Sequence, residues 1–167
     1  MPIILAHSAG AFLKRGNEYL LMLRAADRRF LPSTWSNIGG GMECEEMDDP
    51  EATCLREIEE ETGITAGEIQ GLALRYIIVR RRGDCVNHSY VYFGETDAEP
   101  SIMTDEGTVH WIPEGELLDR KLSATFRAML EHYLYTPDPA HVMIGCAEND
   151  NGKSRMVWAK LEDFDAL

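Results

Sequence analysis

The stretch from Trp35 to Ile64 reads W-S-N-I-G-G-G-M-E-C-E-E-M-D-D-P-E-A-T-C-L-R-E-I-E-E-E-T-G-I, a glycine run, an acidic loop and a segment crowded with carboxylates. The last part is punctuated as a helix. Asp49 suits the N-cap, Pro50 the first helical position and Gly63 the left-handed stop. Within it Glu57, Glu60 and Glu61 stand at i, i+3 and i+4 and share one face. Ala52, Cys54, Leu55 and Ile58 fall mainly on the other side and are expected to pack the helix down. Like charges at this spacing repel, at a cost of roughly a few tenths of a kcal/mol per pair. A hard divalent cation, which takes oxygen ligands, removes that cost. The plain alternative is a solvated acidic face. What sets this stretch apart is its company: the glycine turn and Arg56 before the cluster, and Gly63 after it.

These residues resemble the Nudix box of MutT-like hydrolases, Gly-x5-Glu-x7-Arg-Glu-U-x-Glu-Glu-x-Gly-U, where U is a bulky aliphatic residue. The second half matches at every specified position: Arg56, Glu57, Ile58, Glu60, Glu61, Gly63 and Ile64. The first half departs from it, since counting back from Arg56 puts the box glutamate on Asp48 and the box glycine on Met42. A two-residue loop insertion repairs the pattern. Gly40 is then the box glycine, the box spans about 40–64, and Glu46 or Asp48 stands in for the early glutamate.

The resemblance implies an α/β fold, an α/β/α sandwich with a mixed central sheet, whose box loop and helix form the catalytic end. It implies hydrolysis of the pyrophosphate bond of a nucleoside diphosphate linked to another moiety, with Mg²⁺ or Mn²⁺ as cofactor. By box position Glu60 and Glu61 are the principal metal ligands, and Glu57 is a further ligand or the base that takes a proton from water. Arg56, at i, i+4 to Glu60, orients a carboxylate by charge-assisted hydrogen bonds. The Gly40 carbonyl is an additional ligand, glycine there letting the chain approach closely. Family members often carry another acid in the loop before the strand that follows the second hairpin. Glu106, in Asp105-Glu106-Gly107, holds that place, with an ordinary polar loop as the alternative.

The W-x-x-x-G-G approach and the single-domain length resemble the branch acting on nucleoside triphosphates, including oxidised ones such as 8-oxo-dGTP. ADP-ribose or a nucleotide sugar is the alternative substrate. Within the family a Pro past the box suggests ADP-ribose cleavage, and a Tyr slightly further on suggests diadenosine polyphosphates. Val79, Arg80, Arg81 and Arg82 stand in those places, so neither marker is present. A reading from another class is a non-catalytic module that binds nucleotides or a protein. Such modules usually lose box carboxylates, and Glu57, Glu60 and Glu61 are kept.

The remaining chain sets the bounds. At 167 residues it fits one domain, with a core over about 7–135 and an added hairpin over about 140–161. A net charge of −13 argues against nucleic-acid polymers, which need clustered Lys and Arg. A phosphate substrate remains compatible if metal ions screen the carboxylates. Cys44, Cys54, Cys85 and Cys146 form no C-x-x-C pair, and the apolar start Met1–Leu5 lacks the marks of a signal peptide. No segment approaches a membrane span. A reduced, cytoplasmic protein is expected, with a homodimer possible.

Strands are predicted at His7–Lys14, Tyr19–Arg24, Gln70–Arg82, Cys85–Gly94 and Thr108–Ile112, with a short helical turn over Glu114–Asp119. Ser123 is expected to cap a helix running to about Tyr135 and ended by Pro137 and Pro139. His141–Ala147 and Lys153–Ala159 read as a tail hairpin around Asn151-Gly152. This hairpin extends the central sheet, covers the cleft or pairs two subunits; the sequence does not choose. Arg28 and Arg29, in the loop before Trp35, are candidates for meeting phosphate, against the alternative of a solvated loop. Tyr76 and Tyr90 are candidates for stacking on a base, although sheet packing suits each. Trp35 reads as a core anchor, and His88 and His110 as satisfied sheet histidines.

Overall fold

Apolar residues alternate along the first two long strands and send side chains to opposite faces of one sheet. In β1 (Ile4–Arg15) Ala11 and Leu13 take one face and Phe12 the other. In β2 (Glu18–Arg24) Leu20 and Met22 join the first face, Tyr19 and Leu21 the second. The computed structural model describes residues 2–136, 141–150 and 153–163. Within them β3 (Trp35–Ser36), β4 (Ile38–Gly41), β5 (Gln70–Arg82), β6 (Cys85–Glu95), β7 (Gly107–Pro113), β8 (Val142–Asp150) and β9 (Lys153–Leu161) complete an open mixed sheet. Its order is β3-β2-β1-β6-β5-β8-β9, with β4 added on β1 and β7 on β2. The β1–β6 and β5–β8 pairs are parallel and the others antiparallel.

Each face is covered by one helix. Helix α1 (Pro50–Thr62) buries Cys54 and Ile58 against Ala11, Leu13, Leu20 and Ile38. Helix α2 (Ala124–Tyr135), capped by Ser123 Oγ accepting from Phe126 N at 3.2 Å, buries Met129 and Leu130 with Phe12, Tyr76 and Phe93. This is the expected α/β/α sandwich.

Three expectations change. The glycine run is a strand rather than a turn: Gly39, Gly40 and Gly41 pair with Gly10, Ala9 and Ser8. Gly39 has φ 155°, and a Cβ there would stand 2.3 Å from the Ala9 carbonyl oxygen, so only glycine lets β4 come this close. On α1, Ala52 is exposed, and the buried neighbour of Cys54 is Thr53. In the tail, β8 runs on through Glu148–Asp150, past the predicted strand end at Ala147.

Of the roles open to the tail hairpin, extension of the sheet is realised, by parallel pairing of β8 with β5. Trp158 of β9 lies over Gly145 and packs edge-on against Tyr76 at 5.3 Å. The Asn151-Gly152 turn and the helix stop at Pro137 and Pro139 lie outside the described residues. No described helix is long and apolar enough to cross a membrane.

Candidate active site

Local signals fix α1 and with it the carboxylates. Asp49 Oδ1 accepts from Ala52 N at 3.0 Å, and Gly63, at φ 77°, closes the helix by donating to Glu59 O at 2.8 Å. Ahead of the helix a single 3-10 turn, Cys44–Glu46, brings Glu46 back over it. Arg56 ties loop, helix and β4 together. Its Nε donates to Glu46 Oε1 at 2.7 Å and its Nη2 to Glu46 Oε2 at 3.0 Å, a two-pronged pair. Its Nη1 donates to Glu57 Oε1 at 2.8 Å and Glu60 Oε2 at 3.1 Å, and its Nη2 also reaches the Gly41 carbonyl at 3.1 Å.

This network decides which acid replaces the early box glutamate. Glu46 is the partner of Arg56, with Thr53 Oγ1 donating to it at 2.7 Å. Arg56 first and Thr53 second hold its pKa down to about 2. Asp48 is exposed and takes no part in the network. Gly40 and Glu46 thus keep the box spacing, and the two extra residues fall between Glu46 and Arg56.

The three helix carboxylates differ sharply in burial. The Glu60 side chain is 60 % exposed and that of Glu57 14 %, while Glu61 as a residue is 5 % exposed. Glu61 Oε2 accepts from Gly39 N at 3.0 Å, which locks the helix to β4. A Cβ at Gly40 would fall 2.5 Å from the Glu57 carboxyl carbon, so the bare glycine backbone is what admits Glu57. Burial pushes the pKa of Glu61 up to about 8, the Glu57 and Glu106 charges add to it, and the Gly39 N–H opposes it. Burial likewise raises Glu57, opposed by Arg56 and supported by Glu60 and Glu106.

Glu106, from the loop before β7, therefore shares one electrostatic field with Glu57 and Glu61. Buried carboxylates that repel one another, beside a glycine backbone, form an all-oxygen donor set, and this suits a hard divalent cation. Among the described residues no group of three or more His, Cys, Asp or Glu side chains is gathered closely enough to hold a metal ion by itself. Mg²⁺ does not require one, because it keeps waters and takes substrate phosphate oxygens.

Beside this face opens a cleft of about 250 Å³, lined among others by Gly39, Gly40, Arg24, Phe30, Arg80 and Tyr90. Of the residues expected to bind substrate, Tyr90 lines the cleft, with its ring packed against the core under α1. Arg28 donates from Nη2 to Glu106 at 2.9 Å, so a carboxylate already pairs it. Arg29 is exposed and joins none of these contacts.

Tyr76 is not brought to the cleft. It is 3 % exposed, and its hydroxyl meets His132 Nδ1 at 2.9 Å under α2. A β-bulge between Leu74 and Tyr76 puts Tyr76 on the same face as Ile78 and Arg80, but it stands further along β5 than those cleft residues, covered by α2 and Trp158. Trp35 packs on the core at the end of the α2 layer, as expected. His110 bonds Thr108 Oγ1 at 2.8 Å, and His88 lies against His7 with ring centres 5.0 Å apart.

Sequence reading missed Arg24 and Arg80. The signal was alternation: Arg24 continues the Leu20–Met22 face and Arg80 follows Ile78.

A NUDIX domain model matches residues 5–133, which leaves the β8–β9 hairpin beyond the match. Among solved structures, a MutT protein from Methanosarcina mazei Go1 superposes with a TM-score of 0.67 at 22 % identity, over 80 % of this chain and 95 % of that one. A MutT protein from Bacillus halodurans gives 0.66 at 21 % identity, over 90 % and 97 %. An Ap4A hydrolase from C. elegans gives 0.64 at 14 % identity, over 77 % and 95 %. No curated protein matches the chain. The structural likenesses establish the fold, and the domain match over most of the chain establishes the kinship: this protein belongs to the NUDIX family of pyrophosphohydrolases.

Proposed function

We propose that the protein hydrolyses the pyrophosphate linkage of a nucleoside diphosphate joined to a further group, with Mg²⁺ or Mn²⁺ held by Glu57, Glu60, Glu61 and the Gly40 carbonyl. The observation that carries this reading is that Glu57 and Glu61 lie against the Gly39-Gly40 backbone that lines the cleft, with the charge of Glu106 acting on both. Bound divalent ions screen the bridging phosphates and acidify a water. The chain's own residues supply the rest. Arg56 fixes the rotamers of Glu57 and Glu60 from one side, and Gly39 N–H fixes Glu61 from the other. Glu106, bonded by Arg28 and acting electrostatically on Glu57 and Glu61, takes the proton of an attacking water in this reading. Arg24 and Arg80 offer the cleft its cationic groups, suited to phosphate oxygens.

A nucleoside triphosphate is the smallest substrate of this class, and the one the compact single-domain layout favours. A larger linked group, as in ADP-ribose or a nucleotide sugar, is favoured by a specific observation: past Phe30 and Arg80 the cleft adjoins a second cavity of about 560 Å³. The test is a metal-supplied panel of normal and oxidised nucleoside triphosphates, ADP-ribose, nucleotide sugars and diadenosine polyphosphates, with products identified. Cleavage of none of them with either ion would favour a binding module instead.

A further inference from the structure

The second cavity has a chemistry of its own. In a chain of net charge −13, none of its described lining residues is Asp or Glu, while Arg80, Arg81, Arg82 and Arg155 all line it. Arg155 is matched by Glu148, with Nε donating to Oε1 at 2.7 Å. Arg81 turns its Nε to the Gly83 carbonyl at 2.8 Å. Arg80 and Arg82 have no carboxylate within ion-pair distance among the described residues. Instead both guanidinium groups stand over the exposed ring of Phe30, at 5.7 and 5.2 Å from its centre. Burial, and then the charge of Arg82, push the pKa of Arg80 below its ordinary value, as for a cation held without a counter-ion. Two unmatched cations side by side, one of them half-buried, are costly unless an anion sits between them.

Strand register gives the distance to the carboxylates. Gly40 pairs with Ala9, Ala9 with Tyr90, and Asn87 with Arg80. Three strand spacings across, and the three residues from Tyr90 to Asn87 along, separate Gly40 from Arg80 by roughly 17 Å at the Cα atoms. That is too far for both cations to serve the bridge being cut, and comparable to the length of a nucleotide.

We infer that Arg80, Arg82 and Phe30 form a subsite for a second phosphate, carried by the substrate at the end remote from its pyrophosphate bridge. This deepens the proposed reading and rests on it. Arg80, which lines both cavities, stands at the junction, and Arg82 lies beyond it. The remote phosphate is an ester on the nucleoside half or on the linked group; the shared chemistry is a dianion meeting a pair of guanidinium groups.

The test compares matched compounds. NADP⁺ against NAD⁺ places the extra phosphate on the nucleoside half; ADP-ribose against its terminal phosphate ester places it on the linked group. The expected result is that in one pair the phosphorylated member has a kcat/KM higher by ~10-fold or more, the scale of one charge-assisted pair. Arg80→Gln and Arg82→Gln should each bring that ratio toward one. Arg82 lies at the hairpin end and is exposed, so its variant does not depend on core packing. No preference in either pair, or a preference that survives both substitutions, overturns the subsite.

A binding arm separates this from failure of the hydrolase reading. Phenyl phosphate in EDTA, titrated by NMR, should bind the wild-type protein and lose ~10-fold or more in affinity with Arg82→Gln. If no compound is cleaved, binding lost in that variant still supports the subsite. Absent or unchanged binding then rejects it.

Discussion

Glu61→Gln should make the metal-free protein more stable while destroying its activity. The wild-type carboxyl is almost fully buried, held by one backbone N–H, and faces the charges of Glu57 and Glu106. Its pKa is raised from 4.5 to about 8. A group raised in the folded state contributes stability that is fully present below its unfolded pKa and is lost as pH rises through the folded value. At 1.36 kcal/mol per unit, the wild-type protein forgoes on the order of 3–5 kcal/mol between about pH 4.5 and pH 8 and above.

Glutamine keeps the acceptor for Gly39 N–H and does not ionise, so it escapes that loss. Thermal unfolding in EDTA should show the two proteins close at about pH 5, with the variant ahead by roughly 10 °C at about pH 9. Saturating Mn²⁺ should narrow the gap by stabilising the wild type, since binding to the native state adds stability by mass action. A gap that does not grow with pH, or a variant less stable than wild type at about pH 9, would refute the account of Glu61 as a buried acid awaiting a cation.

Other perturbations follow from the same geometry. Arg56→Gln removes the pair to Glu46 and the contacts to Glu57 and Glu60, so turnover should fall by ~100-fold or more, read by steady-state kinetics. Gly40→Ala puts a methyl group onto the Glu57 carboxylate and should cost ~1–3 kcal/mol in urea unfolding together with most of the activity. Glu106→Gln should lower kcat more than it raises KM; an unchanged rate would assign Glu106 to the loop alone. Glu59→Gln, on an exposed residue at the unspecified box position, should leave both rate and stability near wild type.

The parts legible in the sequence were those set by neighbours in the chain. Asp49, Pro50 and Gly63 delimit α1 as expected because capping is decided within a turn of the helix. Ser123 does the same for α2. The box spacing put Glu57, Glu60 and Glu61 on one helix, but it did not show that Glu61 is buried and Glu60 open. That difference comes from β4 closing on the helix, and the β4 pairing joins residues about thirty positions apart in sequence. The same non-local pairing turned the glycine run from an expected turn into a strand.

Tyr76 was misplaced because its cover, His132 of α2 and Trp158 of the tail hairpin, comes from residues more than fifty positions away. Glu46 and Asp48 could not be separated by counting, since an insertion leaves the register open. Only the reach of Arg56 decides between them. The three arginines Arg80 to Arg82 were read as the absence of a marker. Their importance appears once the cavity and the ring of Phe30 are in place.

Glu60 allows the cleanest test of the central claim, that this helix face holds the ions that serve hydrolysis. Its side chain is largely exposed, so Glu60→Gln removes a ligand charge with little effect on packing. The measurement is turnover of the best nucleoside diphosphate-linked compound by wild type and variant at saturating Mg²⁺, with an EDTA control and products identified by mass. The account predicts cleavage at the pyrophosphate bridge, none in EDTA, and a variant slower by ~100-fold or more with an unchanged unfolding transition. Turnover that persists in EDTA, or a Glu60→Gln protein working at nearly the wild-type rate, would contradict it.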